Sequence, residues 1–135
     1  MRPAPTRKPA PLAVTNTFRR FVLDQLEELG DVTARSMFGG IGLYCRGVFF
    51  GIIAADVLYL KVDDETRHAY ESCGMRPFKP FLDRPATMQY YSVPLSVLES
   101  ATELAAWASG AVKAAERAAA SADSRPAGAR RRFRR

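Results

Sequence analysis

The sequence predicts an α+β domain with an antiparallel sheet, and three patterns carry that expectation. Two β-rich runs, Ile41 to Cys45 and Val48 to Ala54, flank Arg46-Gly47, a dipeptide that supplies the positive φ a tight hairpin turn needs. From Val57 to Val62 the residues alternate, with Leu58, Leu60 and Val62 on one face and Val57, Tyr59 and Lys61 on the other, as in a sheet with one face more buried. Apolar residues at helical spacing bracket this block on both sides, from Phe18 to Leu29 and from Leu104 to Ala115.

Taken in order, residues 1–14 hold four prolines and read as an extended, solvated arm. Thr15 or Asn16 is a competent N-cap for a first helix whose stripe is Phe18, Phe21, Val22, Leu26 and Leu29, with Gly30 as its stop. Its acids Asp24, Glu27 and Glu28 lie largely off that stripe and read as a solvated outer face. Gly39, Gly40 and Gly42 interrupt the first strand, where a bulge, a sharp bend or a close backbone approach is expected. Gly39 and Gly40 also offer bare backbone to a partner, which makes them candidate partner-binding positions. The run Val48 to Ile53 does not alternate, so its strand is central or has a second face covered by a helix or another subunit. Apolar surface left uncovered there makes a homodimer an expectation. Ala55-Asp56 then reverses the chain.

Asp63-Asp64-Glu65 places carboxylates at the start of a short helix running to about Ser72, with Gly74 as its stop, where negative charge complements the helix dipole. Adjacent residues point in divergent directions and no further ligand is apparent, so these acids read as helix chemistry rather than a metal site. Pro77, Pro80 and Pro85 confine any strand around Phe78 to a short or edge position, and Thr87 to Val93 is the better strand. Pro94 opens a helical turn through Leu98. Ser100-Ala101-Thr102-Glu103 is a capping box, after which Leu104, Trp107, Ala108, Ala111, Val112 and Ala115 form the stripe of a last helix packed on the sheet. The predicted core contains Phe21, Leu26, Phe50, Leu58, Leu60 and Trp107. The domain is expected over residues 15–118, with a disordered Arg-rich tail over 119–135.

Several of these stretches together carry a resemblance: Arg35-Ser36-Met37-Phe38-Gly39-Gly40, Gly42-Leu43-Tyr44, Val48-Phe49-Phe50-Gly51-Ile52-Ile53, Leu58-Tyr59-Leu60-Lys61-Val62, Gly74-Met75-Arg76-Pro77-Phe78 and Met88-Gln89-Tyr90-Tyr91-Ser92-Val93-Pro94. As an ordered set over roughly Phe18 to Ala115, the chain resembles the N-terminal domain of the TfoX family, named after a regulator of natural competence. The resemblance implies an α-β-β-β-α-β-β-α order, similar in topology to type III secretion chaperones. It brings no catalytic residues. It implies a non-enzymatic regulatory or adaptor role through protein contacts, by analogy with competence regulators that work alongside the cyclic-AMP receptor protein. The two-domain members carry a further helical C-terminal domain, and this chain reads as a single-domain member.

Composition is ordinary for one globular domain: 135 residues, 47% hydrophobic and 25% charged. The net charge of +6 is unevenly placed. The first eleven residues hold Arg2, Arg7 and Lys8, and the last seventeen hold six arginines against Asp123, which leaves the middle at −2. Arg130, Arg131, Arg132, Arg134 and Arg135 are therefore the candidate nucleic-acid contacts, since clustered guanidinium groups displace counterions from phosphate. Two cysteines are too few for a disulfide framework, no apolar stretch of signal-peptide length precedes the first helix, and no run reaches the ~20 apolar residues that span a bilayer. A cytoplasmic protein without membrane insertion is expected.

Motifs for chemistry fail on spacing. Gly40-Ile41-Gly42 begins a G-x-G-x-x-G whose last position is Cys45, and Gly42 and Gly47 have P-loop spacing but are followed by Val48 and Phe49. No cofactor is expected. One His and two Cys cannot supply a zinc site alone, and His68 and Cys73 stand roughly 140° apart around a helix. Cys45 reads as a small core residue. An enzyme with an unfamiliar site is the third function class after adaptor and nucleic-acid binder, and no motif supports it.

Overall fold

Six strands form one antiparallel sheet in the order β1-β2-β3-β4-β6-β5 in this computed structural model, which describes residues 12–37, 39–79 and 87–123. The strands are β1 Val32–Met37, β2 Gly40–Cys45, β3 Val48–Ala54, β4 Val57–Lys61, β5 Pro77–Phe78 and β6 Thr87–Ser92. The helices are α1 Asn16–Gln25, α2 Arg67–Ser72, α3 Leu95–Leu98 and α4 Ala101–Asp123. The α+β class and the antiparallel sheet agree with the sequence. The order gains one strand: β1 precedes the three that were expected. It sits at the sheet edge with Thr33, Arg35 and Ser36 polar and only Val32 and Ala34 against the core, so its hydrophobic signal is weak.

The turns form as their residues dictate. Arg46 and Gly47 have φ of 48° and 83°, and Ala55 and Asp56 have φ of 50° and 58°, so both two-residue hairpins take the left-handed turn that matches strand twist. The β3–β4 turn is also tied to α1. Thr15 donates from its backbone N to Asp56 Oδ1 at 2.8 Å and from Oγ1 to Asp56 Oδ2 at 3.0 Å, while Thr15 Oγ1 accepts from the Phe18 N–H at 3.1 Å as the N-cap.

α1 ends at Gln25 and tightens into a 3-10 turn over Glu27–Leu29 before Gly30, which has φ 80°. Val22 and Leu26, one turn apart, are buried, whereas Phe21 falls on the margin and is 38% exposed, which corrects its place in the predicted core. Leu26, Phe50, Leu58 and Leu60 share one buried cluster, and Trp107 packs against it from α4. Leu104, Ala108, Ala111, Val112 and Ala114 are the buried stripe of α4, which lies over β3 and β4. Ser100 Oγ accepts from the Glu103 N–H at 3.2 Å, as the capping box requires. α4 runs on through Asp123, past the expected boundary at 118, because an alanine-rich continuation of a nucleated helix adds a hydrogen bond per residue at little entropic cost. Residues 1–11 and 124–135, with most of the expected arm and the clustered arginines, lie outside the described residues. The last three residues of that arm are not solvated as expected, because Leu12 and Val14 pack against the two apolar clusters and the Leu12 carbonyl accepts from the Ala55 N–H at 3.2 Å.

Of the bulge, sharp bend or close approach expected at the glycines of the first strand, close approach is found there and the bulge lies on the neighbouring strand. Leu43 pairs with Gly51 and Tyr44 with Phe49, so Phe50 is the extra residue, on β3. Gly39, with φ 86°, stands in the turn between β1 and β2. Gly40 opens β2, and a Cβ there would meet the Ile53 carbonyl oxygen at 2.7 Å. Both glycines therefore have a reason inside the chain, positive φ for one and close approach for the other. Gly40→Val should destabilise the domain by about 1–3 kcal/mol through overpacking, seen as a melting temperature lower by several degrees. Unchanged melting would show that β2 and β3 do not approach this closely.

Candidate functional site

The sheet has two unlike faces. One receives all four helices. The other carries a second cluster built from strand residues and Leu12, with Ile52, Ala54 and Phe78 buried and Phe49, Tyr59 and Tyr90 packed around them. Across this second face runs a row of rings: Tyr44 and Phe49 have centroids 5.1 Å apart, Phe49 and Tyr90 are 5.6 Å apart, and Tyr59 lies 4.8 Å from Phe78 with the planes tilted by 56°. A cation closes each end. The Arg35 guanidinium lies 5.5 Å from the Tyr44 centroid and the Lys61 ammonium 5.3 Å from that of Tyr90. Gly42 makes room for the row, since a Cβ there would meet Met37 Sδ at 2.9 Å and Phe49 Cε1 at 3.1 Å.

Electrostatics differ between the two ends. Arg35 is exposed, whereas Lys61 is buried and donates to Gln89 Oε1 at 2.8 Å. Burial pushes the Lys61 ammonium pKa down, opposed by the Asp63 carboxylate, and pushes the Tyr90 phenol up to about 12. Such a surface offers aromatic contact area and the exposed guanidinium of Arg35, and among the described residues it holds no nucleophile beside a base. His68 is exposed with Ser72 Oγ 3.3 Å from its Nε2, Cys73 is exposed, and Cys45 is buried with its Sγ 3.5 Å from the Gly30 carbonyl. Among the described residues no three His, Cys, Asp or Glu are grouped to hold a metal ion. No helix among them is long and apolar enough to cross a membrane.

The sequence-derived site residues fall apart in space. Gly39 and Gly40 lie at the β1–β2 turn, outside the ring row, and Arg130, Arg131, Arg132, Arg134 and Arg135 lie outside the described residues. Of the β3 side chains behind the homodimer expectation, Ile52 and Ala54 are buried in the second cluster, whereas Phe49 on the same face is half-buried. Sequence reasoning missed the ring row, although the alternation in β4 had already placed Tyr59 and Lys61 on one face.

The TfoX N-terminal domain family matches residues 24–115. The chain belongs to that family. A relative, DNA transformation protein TfoX1 of Aliivibrio fischeri (strain ATCC 700601 / ES114), is 32% identical over 69 residues, which cover 50% of this chain and 33% of that protein. The chain thus spans about a third of the length of the curated relative it matches. On the structure, the family match runs from within α1 to within α4 and takes in all six strands.

In this TfoX-type domain, Asp63 ties the end of β4 to both α2 and α4. Its Oδ1 accepts from the Glu65 and Thr66 N–H groups at 3.0 and 3.2 Å, and its Oδ2 accepts from Arg117 Nε at 2.7 Å. The Arg117 bond, helped by the backbone donors, holds the carboxyl at about 2 against an ordinary 3.8. A depressed carboxylate contributes stability that is present above pH 3.8 and lost as pH falls toward 2. Urea unfolding from pH 5 to 2 should show a steeper acid loss in the native chain than in Arg117→Met; identical slopes would sever the link. Asp63→Ala should cost about 0.5–2 kcal/mol for the lost capping alone.

Proposed function

We propose that this chain is a non-enzymatic regulatory domain, acting through protein contacts in a process related to DNA transformation. Family membership over residues 24–115 carries the reading, together with the similarity to DNA transformation protein TfoX1 of Aliivibrio fischeri. The ring row on the helix-free face is consistent with it, because it gathers aromatic side chains and an exposed arginine of the kind enriched at protein interfaces. In the native host, loss of the gene should change transformation frequency with purified DNA, and the full-length chain should restore it. An unaltered frequency would overturn the process. Partners that co-purify with the chain should survive nuclease treatment.

The segregation of charge supports a second reading, nucleic-acid binding by the C-terminal arginines, six within the last seventeen residues. Binding to duplex DNA would then be independent of sequence and fall with salt at a logarithmic slope of roughly −0.9 per phosphate neutralised. Removing residues 124–135 should abolish it while leaving the melting temperature in place. Equal binding by the truncated chain would exclude the tail.

A further inference from the structure

Between α2 and α4 lies an open cleft of about 240 Å³, lined by Glu65, Thr66, Ala69, Tyr70, Trp107 and Gly110. Three features of this cleft are unexplained by packing within the chain. Tyr70 is 3% exposed, and its hydroxyl has no hydrogen-bond partner among the described residues. Buried hydroxyls almost always have one, because desolvation without a partner is costly. The Trp107 indole, half-buried and set edge-on to Tyr70 at 4.7 Å between centroids, also has no hydrogen-bond partner for its N–H among the described residues. Gly110 stands inside a 23-residue helix, where glycine is the least suitable residue after proline, yet a Cβ at that position would meet nothing within 4 Å. Glycine thus leaves the floor of the cleft bare although nothing in the fold needs the space.

We propose that this cleft binds a small planar carboxamide or lactam. Two neutral donors, the Tyr70 O–H and the Trp107 N–H, suit a carbonyl oxygen. Burial drives the Tyr70 phenol pKa upward, so it keeps its proton throughout the physiological range. The amide N–H needs an acceptor, and Glu65 supplies a carboxylate at the rim; one of its oxygens lies 3.4 Å from Arg117 Nε and the other remains for a ligand. Ala69 and Gly110 leave flat apolar surface beside the Trp107 indole, which suits a planar body and excludes a branched one. The volume limits the ligand to roughly the size of one aromatic ring with its substituent.

Benzamide is the probe, and Trp107 is the reporter because it is the chain's single tryptophan. Titration of the full chain should give a saturable change in indole emission with a dissociation constant of about millimolar order, as expected for nine heavy atoms. Benzoate, which lacks the N–H donors and brings a like charge to Glu65, should bind more weakly. Tyr70→Phe removes only an unpartnered hydroxyl, so it should fold at least as well and weaken benzamide about two- to tenfold. Gly110→Leu should fill the cleft and abolish binding, read by ligand-observed NMR, while helicity and melting are kept or improved. Benzamide and benzoate binding equally, undiminished binding to Gly110→Leu, or no saturable signal at tens of millimolar would each overturn the proposal.

Discussion

The bulge on β3 is the constraint from which the two faces of this domain follow. A regular strand sends alternate residues to opposite faces, and the run Val48-Phe49-Phe50-Gly51-Ile52-Ile53-Ala54 would then strand apolar groups on the wrong side. With Phe50 as the extra residue, the phase shifts by one. Val48, Phe50 and Ile53 join the helix-covered core, and Phe49, Ile52 and Ala54 join the opposite cluster. Gly51 makes this feasible, since a Cβ there would lie 3.1 Å from the Tyr59 carbonyl and 3.3 to 3.4 Å from Leu60 and Leu43 side chains. One strand therefore supplies both cores, and the sheet can be apolar on each side without being covered by helices on each side.

Helices are fastened to that sheet at opposite ends by short polar ties. At one end Asp56, held at positive φ in the β3–β4 turn, receives both donors of Thr15, and the Ala55 N–H donates to the Leu12 carbonyl at 3.2 Å. At the other, Asp63 gathers the first turn before α2 and the Arg117 guanidinium of α4. Gln25 adds a third tie, donating from Nε2 to the Leu98 carbonyl at 3.0 Å and so joining α1 to α3. Each tie is worth little in water by itself. Their effect is to set where the apolar stripes land, and the stripes supply most of the burial.

This division of labour leaves chemistry at the seams rather than in the core. The helix-free face presents rings whose outer edges remain half-exposed, with Arg35 projecting at the sheet edge. The α2–α4 seam holds aromatic donors without partners. Both arrangements lie within the stretch that the TfoX N-terminal domain family matches, residues 24–115.

Local patterns decided a great deal. Both tight turns, the Thr15 cap, the Ser100 capping box, the edge position of the proline-bounded β5 and the buried set Leu58, Leu60 and Val62 were legible because each rests on residues close in sequence, whose backbone preferences act without a partner. Family membership was legible for a similar reason, as an ordered set of short motifs. What the residues could not announce was long-range. β1 became a strand because β2 offered it a hydrogen-bonded edge, and its own polar residues gave little sign of it. Lys61 reads as a solvent-facing lysine and is instead buried against Tyr90 and Gln89 from β6, a strand that begins twenty-six residues later. Tyr70 and Trp107, thirty-seven positions apart, meet across a seam that packing in the main core forms and the Asp63–Arg117 bond also spans. Sequence settles conformations that neighbours along the chain determine; which side chains share a surface depends on strand register and helix placement, and those are set only when the whole sheet has closed its hydrogen bonds.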